Sequence, residues 1–288
     1  MKYAFISQRS GEFSVSLACR VLGVSRSGYY DWRNSTSSGL TKKQKLIQAI
    51  EKVHLGSRGA YGSPRVYQQL KALGFKTSKT TIERLMRANG IRAKKRRRFC
   101  RTTQSNHDLP LARNVVDRNF DQGRANKVWL TDITYLRTRD GWAYMAAVMD
   151  SHTRRIVGWS IADHMRTELV TAALRSAMVQ VGIPSDLAVH SDRGSQYAST
   201  EFRELLANCS FIQSMSRKGN CWDNAPMESF FDSLKTELVG NRIFADVCEA
   251  RSVVFEWVEV FYNRQRLHSS LGYRSPACFE EETMAKIA

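Results

Sequence analysis

The chain of 288 residues contains no uninterrupted apolar run of about 18 residues, the length that a membrane-spanning helix requires. Its start, Met1-Lys2-Tyr3-Ala4-Phe5-Ile6-Ser7-Gln8-Arg9, has no apolar stretch long enough for a signal peptide, so a cytosolic protein with no membrane partner is expected. The six cysteines, at 19, 100, 209, 221, 248 and 278, form no CxxC pair, and the six histidines show no zinc-finger spacing. Reduced, mostly packing cysteines follow, rather than a disulfide frame or a zinc module. Acidic residues are scarce in one region only. Residues 1–108 hold 5 Asp and Glu against 23 Lys and Arg, a net +18, whereas residues 109–288 hold 22 against 21, a net −1. A charge kept for solubility would be spread evenly, so the first third reads as a basic module for a polyanionic partner. The neutral remainder reads as a globular domain, since 42% hydrophobic and 10% aromatic residues supply an ordinary core.

Within the basic third, Leu17, Val21 and Leu22 form a helical stripe and Gly23-Val24-Ser25 a tight turn, after which Tyr29, Tyr30 and Trp32 open a second apolar face. This is helix-turn-helix spacing, with Cys19 small enough to let the helices approach; a plain helical hairpin has the same pattern. A second helical unit runs from Lys42 to Asn89. Leu46, Ile47, Ile50 and Val53 form one face, Pro64 opens a second helix carrying Val66, Tyr67, Leu70 and Leu73, and Thr80 with Glu83 is a candidate capping box before Ile82, Leu85 and Met86. From Arg92 to Arg101 seven of ten residues are basic, namely Arg92, Lys94, Lys95, Arg96, Arg97, Arg98 and Arg101. Such a run repels itself, and the expectation is a flexible linker that tracks phosphates.

Beyond Asn126 the periodicity changes. Lys127 to Leu136, Trp142 to Met149 and Arg155 to Ile161 are rich in β-branched and aromatic residues, with Arg139-Asp140-Gly141 as a hairpin turn. A helix over Thr167 to Val181, a strand over Leu187 to His190, a helix over Thr200 to Ala207, a strand over Phe211 to Met215 and a helix over Asn224 to Val239 follow. Strands first, then alternating helices and strands, indicate an α/β sheet covered by helices. The last forty residues read as helical, with Val253, Val254, Trp257, Val260 and Phe261 as the docking stripe.

Three acids stand where an ordinary core would not want them. Asp132 interrupts an apolar strand, where an ionised carboxylate is costly to bury without a partner. Asp192 follows directly on Leu187-Ala188-Val189, at the carboxyl end of a strand, where open α/β sheets place their sites. Glu228 opens a helix just after Asn224, a good N-cap residue. Singly, each has a structural explanation as a hydrogen-bonded core acid, a turn residue or a first-turn acid. Asp150 is the nearest rival carboxylate, in the first instance a cap or hairpin acid. His190 is a neighbour that could orient a ligand, and His268 a possible DNA or core contact.

Taken together they form a pattern. Asp192 and Glu228 lie 35 residues apart in the numbering, counted between them, behind Asp132 on the first strand, as in the D,D(35)E constellation of integrase-like transposases. The surrounding words agree: Trp129-Leu130-Thr131-Asp132-Ile133-Thr134-Tyr135, His190-Ser191-Asp192-Arg193-Gly194-Ser195-Gln196-Tyr197, Asn220-Cys221-Trp222-Asp223-Asn224-Ala225-Pro226-Met227-Glu228 and Tyr262-Asn263 through His268-Ser269-Ser270-Leu271. Over nearly its whole length the chain resembles the second-frame (OrfB) protein of bacterial insertion sequences of the IS-three family.

That resemblance implies an RNase H-like α/β catalytic core of integrase type, a mixed sheet with flanking helices, preceded by all-α helix-turn-helix units. The expected divisions are helix-turn-helix units over 1–36 and 40–92, a basic and polar linker over 93–124, the core over 125–240 and a helical extension over 241–288. It implies metal-dependent DNA strand cleavage and transfer, with Asp132, Asp192 and Glu228 as catalytic ligands of Mg²⁺ or Mn²⁺, two ions together. Lys235, the basic residue seven positions after the glutamate, would lie on the same helix face about 10 Å along the axis and hold a DNA phosphate. Arg92, Lys94, Lys95, Arg96, Arg97 and Arg98 would also contact DNA. The implied partners are double-stranded DNA (terminal inverted repeats and target), the upstream-frame (OrfA) protein or a fusion with it, and a second copy of the chain, in a bacterial, nucleoid-associated setting. The chain has no a/d heptad run of several repeats, which agrees with an unfused second-frame product. Two alternatives stay open at this point: a DNA-binding regulator with an inert integrase fold, and another RNase H-like nuclease that cuts without joining.

Overall fold

A computed structural model describes residues 1–37, 41–94, 109–218 and 220–285 of the chain, which divides into two compact units, Met1–Ala93 and Lys94–Ala288. The first unit is helical. Its first three helices are α1 (Lys2–Gln8), α2 (Val15–Val21) and α3 (Arg26–Ser37), with Ser14 capping α2 through the Leu17 N–H. They enclose Ile6, Cys19 and Tyr29, with Val15, Ala18, Leu22 and Trp32 packed around them. The buried stripe of α2 therefore runs through 15, 18, 19 and 22. Leu17 and Val21, expected in it, are 47% and 75% exposed. The sequence reading lacked α1, and it is α1 and α3 that select the Ala18–Cys19 side.

Helices α4 (Lys42–Gly56), α5 (Ser63–Ala72) and α6 (Lys79–Ala88) form the second group. Thr41 and Gln44 make a reciprocal capping box at α4, and Pro64 occupies the first turn of α5, where a missing N–H costs nothing. Ile50, Val66, Leu70, Ile82, Leu85 and Met86 are buried. Leu73 is not: it sits at the C-cap of α5, before Gly74 turns the chain at φ +84°. The cap of α6 is Ser78, whose hydroxyl accepts the Thr81 N–H; the expected Thr80 cap lies one residue inside the helix.

The second unit is built on five strands: β1 (Val128–Thr138), β2 (Gly141–Asp150), β3 (Ile156–Ala162), β4 (Ala188–Ser191) and β5 (Ile212–Met215), in the order β3-β2-β1-β4-β5. The β1–β2 and β2–β3 pairs are antiparallel, and β1–β4 and β4–β5 are parallel. Between the strands run α7 (Thr167–Val181), the single turn α8 (Ser195–Ala198), which the sequence did not signal, and α9 (Thr200–Asn208). Trp129, Ala146, Val148 and Val189 pack with Leu174, Ala177, Phe202 and Leu206 from α7 and α9 in one core. Successive side chains alternate between sheet faces, so Asp132, its ladder partner Ala147 and the next partner Trp159 share the opposite face.

Gly158 is where α7 comes closest to the sheet. A Cβ placed there would stand 2.4 Å from the Ala177 nitrogen and 2.5 Å from the Ala173 carbonyl oxygen, both backbone atoms that cannot step aside. Gly158→Ala is therefore expected to destabilise the second unit at the upper end of the roughly 1–3 kcal/mol typical of overpacking. A urea midpoint unchanged from the parent would show that α7 can shift freely.

After β5 the chain passes through a 3₁₀ turn (Cys221–Asn224) into α10 (Ala225–Leu234), which widens into a π-helical turn over Lys235–Val239. Helix α11 (Val247–Phe255) ends the same way over Glu256–Tyr262, and α12 (Pro276–Ala285) closes the described chain. The buried stripe of this region is Val254, Trp257, Val258, Phe261 and Tyr262. Val260, expected in it, is 40% exposed, because the i, i+3, i+4 rhythm that starts at Val254 skips 260. Residues beyond 240 are part of the same unit. Phe244 bridges Thr138 at the end of β1, and the Asn263 side-chain amide pairs with both backbone groups of Ile156 on β3. A buried ion pair, Arg266 with Glu237, joins them to the π turn of α10.

The stretch expected as a linker through residue 124 is anchored over part of its length. The Val115 N–H donates to Ser214 Oγ, and Asn114 and Arg118 both donate to Asp223. Arg92 is exposed, and Lys94 donates to the Glu237 carbonyl at 2.6 Å. Lys95, Arg96, Arg97 and Arg98 lie outside the described residues.

Candidate active site

The parallel pairing of β1 with β4 sets Leu130 beside His190. Two residues further along each segment come Asp132 and Asp192, so the register carries both carboxylates to the same level at the carboxyl end of β4. Asp132 is half-buried in the middle of β1, with its carboxylate accepting the Ile133 N–H at 2.8 Å. Asp192 is half-buried in the turn after β4, where its carboxylate accepts the Gly194 N–H at 2.9 Å. Glu228 is exposed in the first turn of α10, a position that the helix dipole favours for an acid.

The start of α10 is held by two side chains: Asp223, which nothing in the sequence singles out, and Asn224, expected as an N-cap. Asp223 is fully buried and accepts from Arg217 Nε and Nη2, the Arg217 N–H, Arg118 Nε and Asn114 Nδ2. The hydrogen bond from Arg217 leads the effects that hold its carboxyl far below the usual carboxylate range. The next residue, Asn224, stands at the N-cap of α10 but makes no side-chain cap; its amide instead donates to the Thr131 carbonyl at 3.2 Å. One side chain thus ties the helix that carries Glu228 to the residue before Asp132. Tyr197, buried under the same strand, has its hydroxyl 3.2 Å from Thr131 Oγ1. The N-cap role expected of Asn224 is thus replaced by a bond across to β1, and a mid-motif tyrosine was the available signal for Tyr197.

Charge couples these groups. Burial, then Asp192, then Glu228 push the Asp132 carboxyl well above its ordinary range, against the Ile133 N–H and the Lys235 ammonium, which pull it down. Lys235 is half-buried, and its ammonium is lowered by burial and raised by Asp132 and Asp232. Tyr197 is raised by burial and by both aspartates. The fold therefore brings Asp192, Glu228 and Lys235 each within electrostatic reach of Asp132. The carboxylates are all hard oxygen donors, suited to a divalent cation such as Mg²⁺. Among the described residues, no three His, Cys, Asp or Glu side chains close on a single point as ligands.

The other candidates have structural work. Asp150 is buried and accepts the N–H groups of Asn126, His152 and Thr153, which caps the turn after β2. His190 is fully buried between Ser214 Oγ at 2.8 Å and Ser216 Oγ at 3.1 Å. Burial lowers its pKa to about 4, so it is a neutral link between β4 and β5 and does not orient a carboxylate. His268 packs edge-on to Tyr262 and lies 3.1 Å from Arg266 Nη1, a core contact.

Helical groups ahead of a mixed sheet, with one carboxylate in the middle of the central strand β1 and another in the turn just after β4, are the arrangement of a nucleic-acid-processing enzyme of integrase type. The HTH-like domain family matches residues 41–99, and the integrase core domain matches residues 122–221 and, in a second form, 211–276. The chain is 38% identical over 289 residues to the InsF transposase of insertion sequence IS3A from Escherichia coli K12, covering 99% of this chain and 100% of that one. It is 42% identical over 265 residues, 92% and 97% of the two chains, to a 31 kDa protein of insertion element IS600 from Shigella sonnei, itself described as uncharacterized. This chain belongs to the IS3 family of insertion-sequence transposases, and it is a polynucleotidyl transferase acting on DNA. Solved structures with a lower likeness include a simian T-cell lymphotropic virus intasome (14% identity, 80% of this chain and 74% of that one, TM-score 0.47). Another is the HTLV-2 integrase catalytic core in complex with magnesium (15%, 55% and 97%, TM-score 0.42). No helix among the described residues is long and apolar enough to cross a membrane.

Proposed function

We propose that this transposase cuts and joins DNA at a two-metal site formed by Asp132, Asp192 and Glu228, acting on the terminal inverted repeats of its own element. The observation that carries the reading is the Asp132 carboxyl. It is set among Asp192, Glu228 and Lys235 at a cost in charge repulsion that a purely structural acid would not need. Asp132 with Asp192 would hold one Mg²⁺ or Mn²⁺ ion and Asp132 with Glu228 the other, and ions held there would supply activation of the attacking hydroxyl and stabilisation of the leaving oxygen in an in-line displacement. The chain itself orients the reactants. Asn224 and Tyr197 fix Thr131 and with it the direction of Asp132, while the Lys235 ammonium holds a phosphate of the DNA end.

The helix-turn-helix groups (1–36 and 40–92) bind the ends, and the basic segment Arg92, Lys94, Lys95, Arg96, Arg97 and Arg98 follows phosphates. Residues 125–240 are the catalytic core and 241–288 its extension. Joining two ends needs at least two copies, and the upstream-frame protein, free or fused, supplies further end recognition.

The test incubates the chain, alone and fused to its upstream frame, with labelled element ends and Mg²⁺. Cleaved and joined products are expected, lost with EDTA and restored by Mn²⁺; a failure of both forms to cut or join supports the inert-regulator alternative. Lys235→Gln is expected to raise KM for the ends on the order of tenfold, the scale of one charge-assisted hydrogen bond, with a smaller change in kcat and partial rescue by Lys235→Arg. A KM equal to the parent's would remove Lys235 from the phosphate.

A further inference from the structure

Trp222 is 68% exposed, an unusual state for the largest apolar side chain, yet the two residues that follow it are buried and hydrogen-bonded. It lies in the 3₁₀ turn Cys221–Asn224, directly before Asp223, which is fully buried under five donated hydrogen bonds, and Asn224, which is bonded to the Thr131 carbonyl. An indole held out to solvent on a clamped turn, two residues from a bond to the strand of Asp132 and six before Glu228, serves no core. Beside the turn, Arg118 and Arg217 pair with Asp223, and Arg217 also with Asp117, while leaving 45% and 48% of their side chains exposed; with exposed Lys218 the basic groups there outnumber the acidic ones.

We propose that Trp222 is a stacking platform for one unpaired nucleobase of the DNA end beside the phosphodiester that is cut. This rests on the active-site reading above. Where the duplex bends to bring its outward-facing phosphodiester onto the half-buried carboxylates, the neighbouring base pairs part readily, and a parted base exposes a π-face that an aromatic side chain can stack on. An indole supplies that partner without regard to base identity, while adjacent cations follow the backbone. The aromatic ring and the flanking guanidinium groups together fit a nucleotide better than an apolar protein surface.

The experiment uses the full chain fused to its upstream frame and duplexes ending in the terminal repeat of its element. Each duplex carries one abasic nucleotide in turn around the cut. The parent is expected to slow by about tenfold or more at one abasic position. Trp222→Ala should cut the intact duplex slower by the same factor, show no further loss at that position, and recover on duplexes with mismatched ends. Trp222→Tyr should stay near the parent. The proposal is overturned if Trp222→Ala cuts intact ends at the parent rate, if its loss multiplies with the abasic loss, or if the parent ignores every abasic position. A changed mass on gel filtration with abasic sensitivity retained assigns the indole to a protein contact and overturns it too. Asp192→Asn, assayed alongside, separates the two readings: full cutting by that variant sinks the metal site whatever Trp222 does.

Discussion

Asp132→Asn is expected to abolish cleavage and joining while making the protein more stable at neutral pH. The loss of activity should be a thousandfold or more in order of magnitude, since ligands that act as one unit take most of the rate with them. The gain in stability follows from the direction of the Asp132 shift. Burial, Asp192 and Glu228 hold its carboxyl above the value it has in the unfolded chain, so over the intervening pH range the folded state binds the extra proton. Where the folded state binds more protons, stability falls as pH rises. The parent should therefore lose stability from about pH 4 upward, until the raised pKa is passed, and Asp132→Asn should lack that loss. Divalent cations provide the complementary measurement. Mg²⁺ should raise the Tm of the parent, by the equivalent of about 2.7 kcal/mol at a hundredfold excess over Kd, and leave Asp132→Asn nearly unmoved. An equal Mg²⁺ response in both proteins, or an active Asp132→Asn, would remove Asp132 from the metal site.

The three proposed site acids stand out in the sequence because each violates a local rule: an acid inside an apolar strand, one immediately after a strand, and one at a helix start with 35 residues between it and its partner. Helix α7 could be placed to the residue because Val170, Ala173, Leu174 and Ala177 repeat with unbroken helical period and all end buried. Tertiary partners are what the sequence conceals. The wrong face was chosen for α2 because α1 is a seven-residue helix with one buried side chain, too short to announce itself by period. Val260 falls outside the buried stripe and Val258 inside it because the helical rhythm is set from Val254, a starting point that only the packed structure fixes. Asp223 gives no signal of its own, and its role becomes visible only when nearby Arg217 is joined by Arg118 and Asn114, 105 and 109 residues earlier, which converge on it. The acids proposed to perform chemistry break patterns and are legible, whereas the groups that hold them obey patterns and are not.

This division also separates affinity from chemistry along the chain. A fragment of residues 109–288, at net −1, is expected to bind duplex DNA far more weakly than the full chain at +17 and with a nearly flat salt dependence. Each phosphate neutralised by the basic third contributes about −0.9 to the slope of log K against log salt. A full chain using six to ten of its cations should thus lose roughly 10³- to 10⁵-fold in affinity between 50 and 200 mM salt. The fragment keeps the sheet, its α7–α9 core and the three carboxylates, so Mg²⁺ should still raise its Tm. Fluorescence anisotropy of a labelled duplex across a salt series, with thermal melts in the presence and absence of Mg²⁺, measures both halves of the prediction. The acidic site would repel the DNA backbone on its own, so the fragment's residual binding should strengthen when Mg²⁺ is added and vanish with EDTA. A fragment that binds DNA as tightly as the full chain, with the same salt slope, would place the grip on the catalytic unit and leave the basic third without that function.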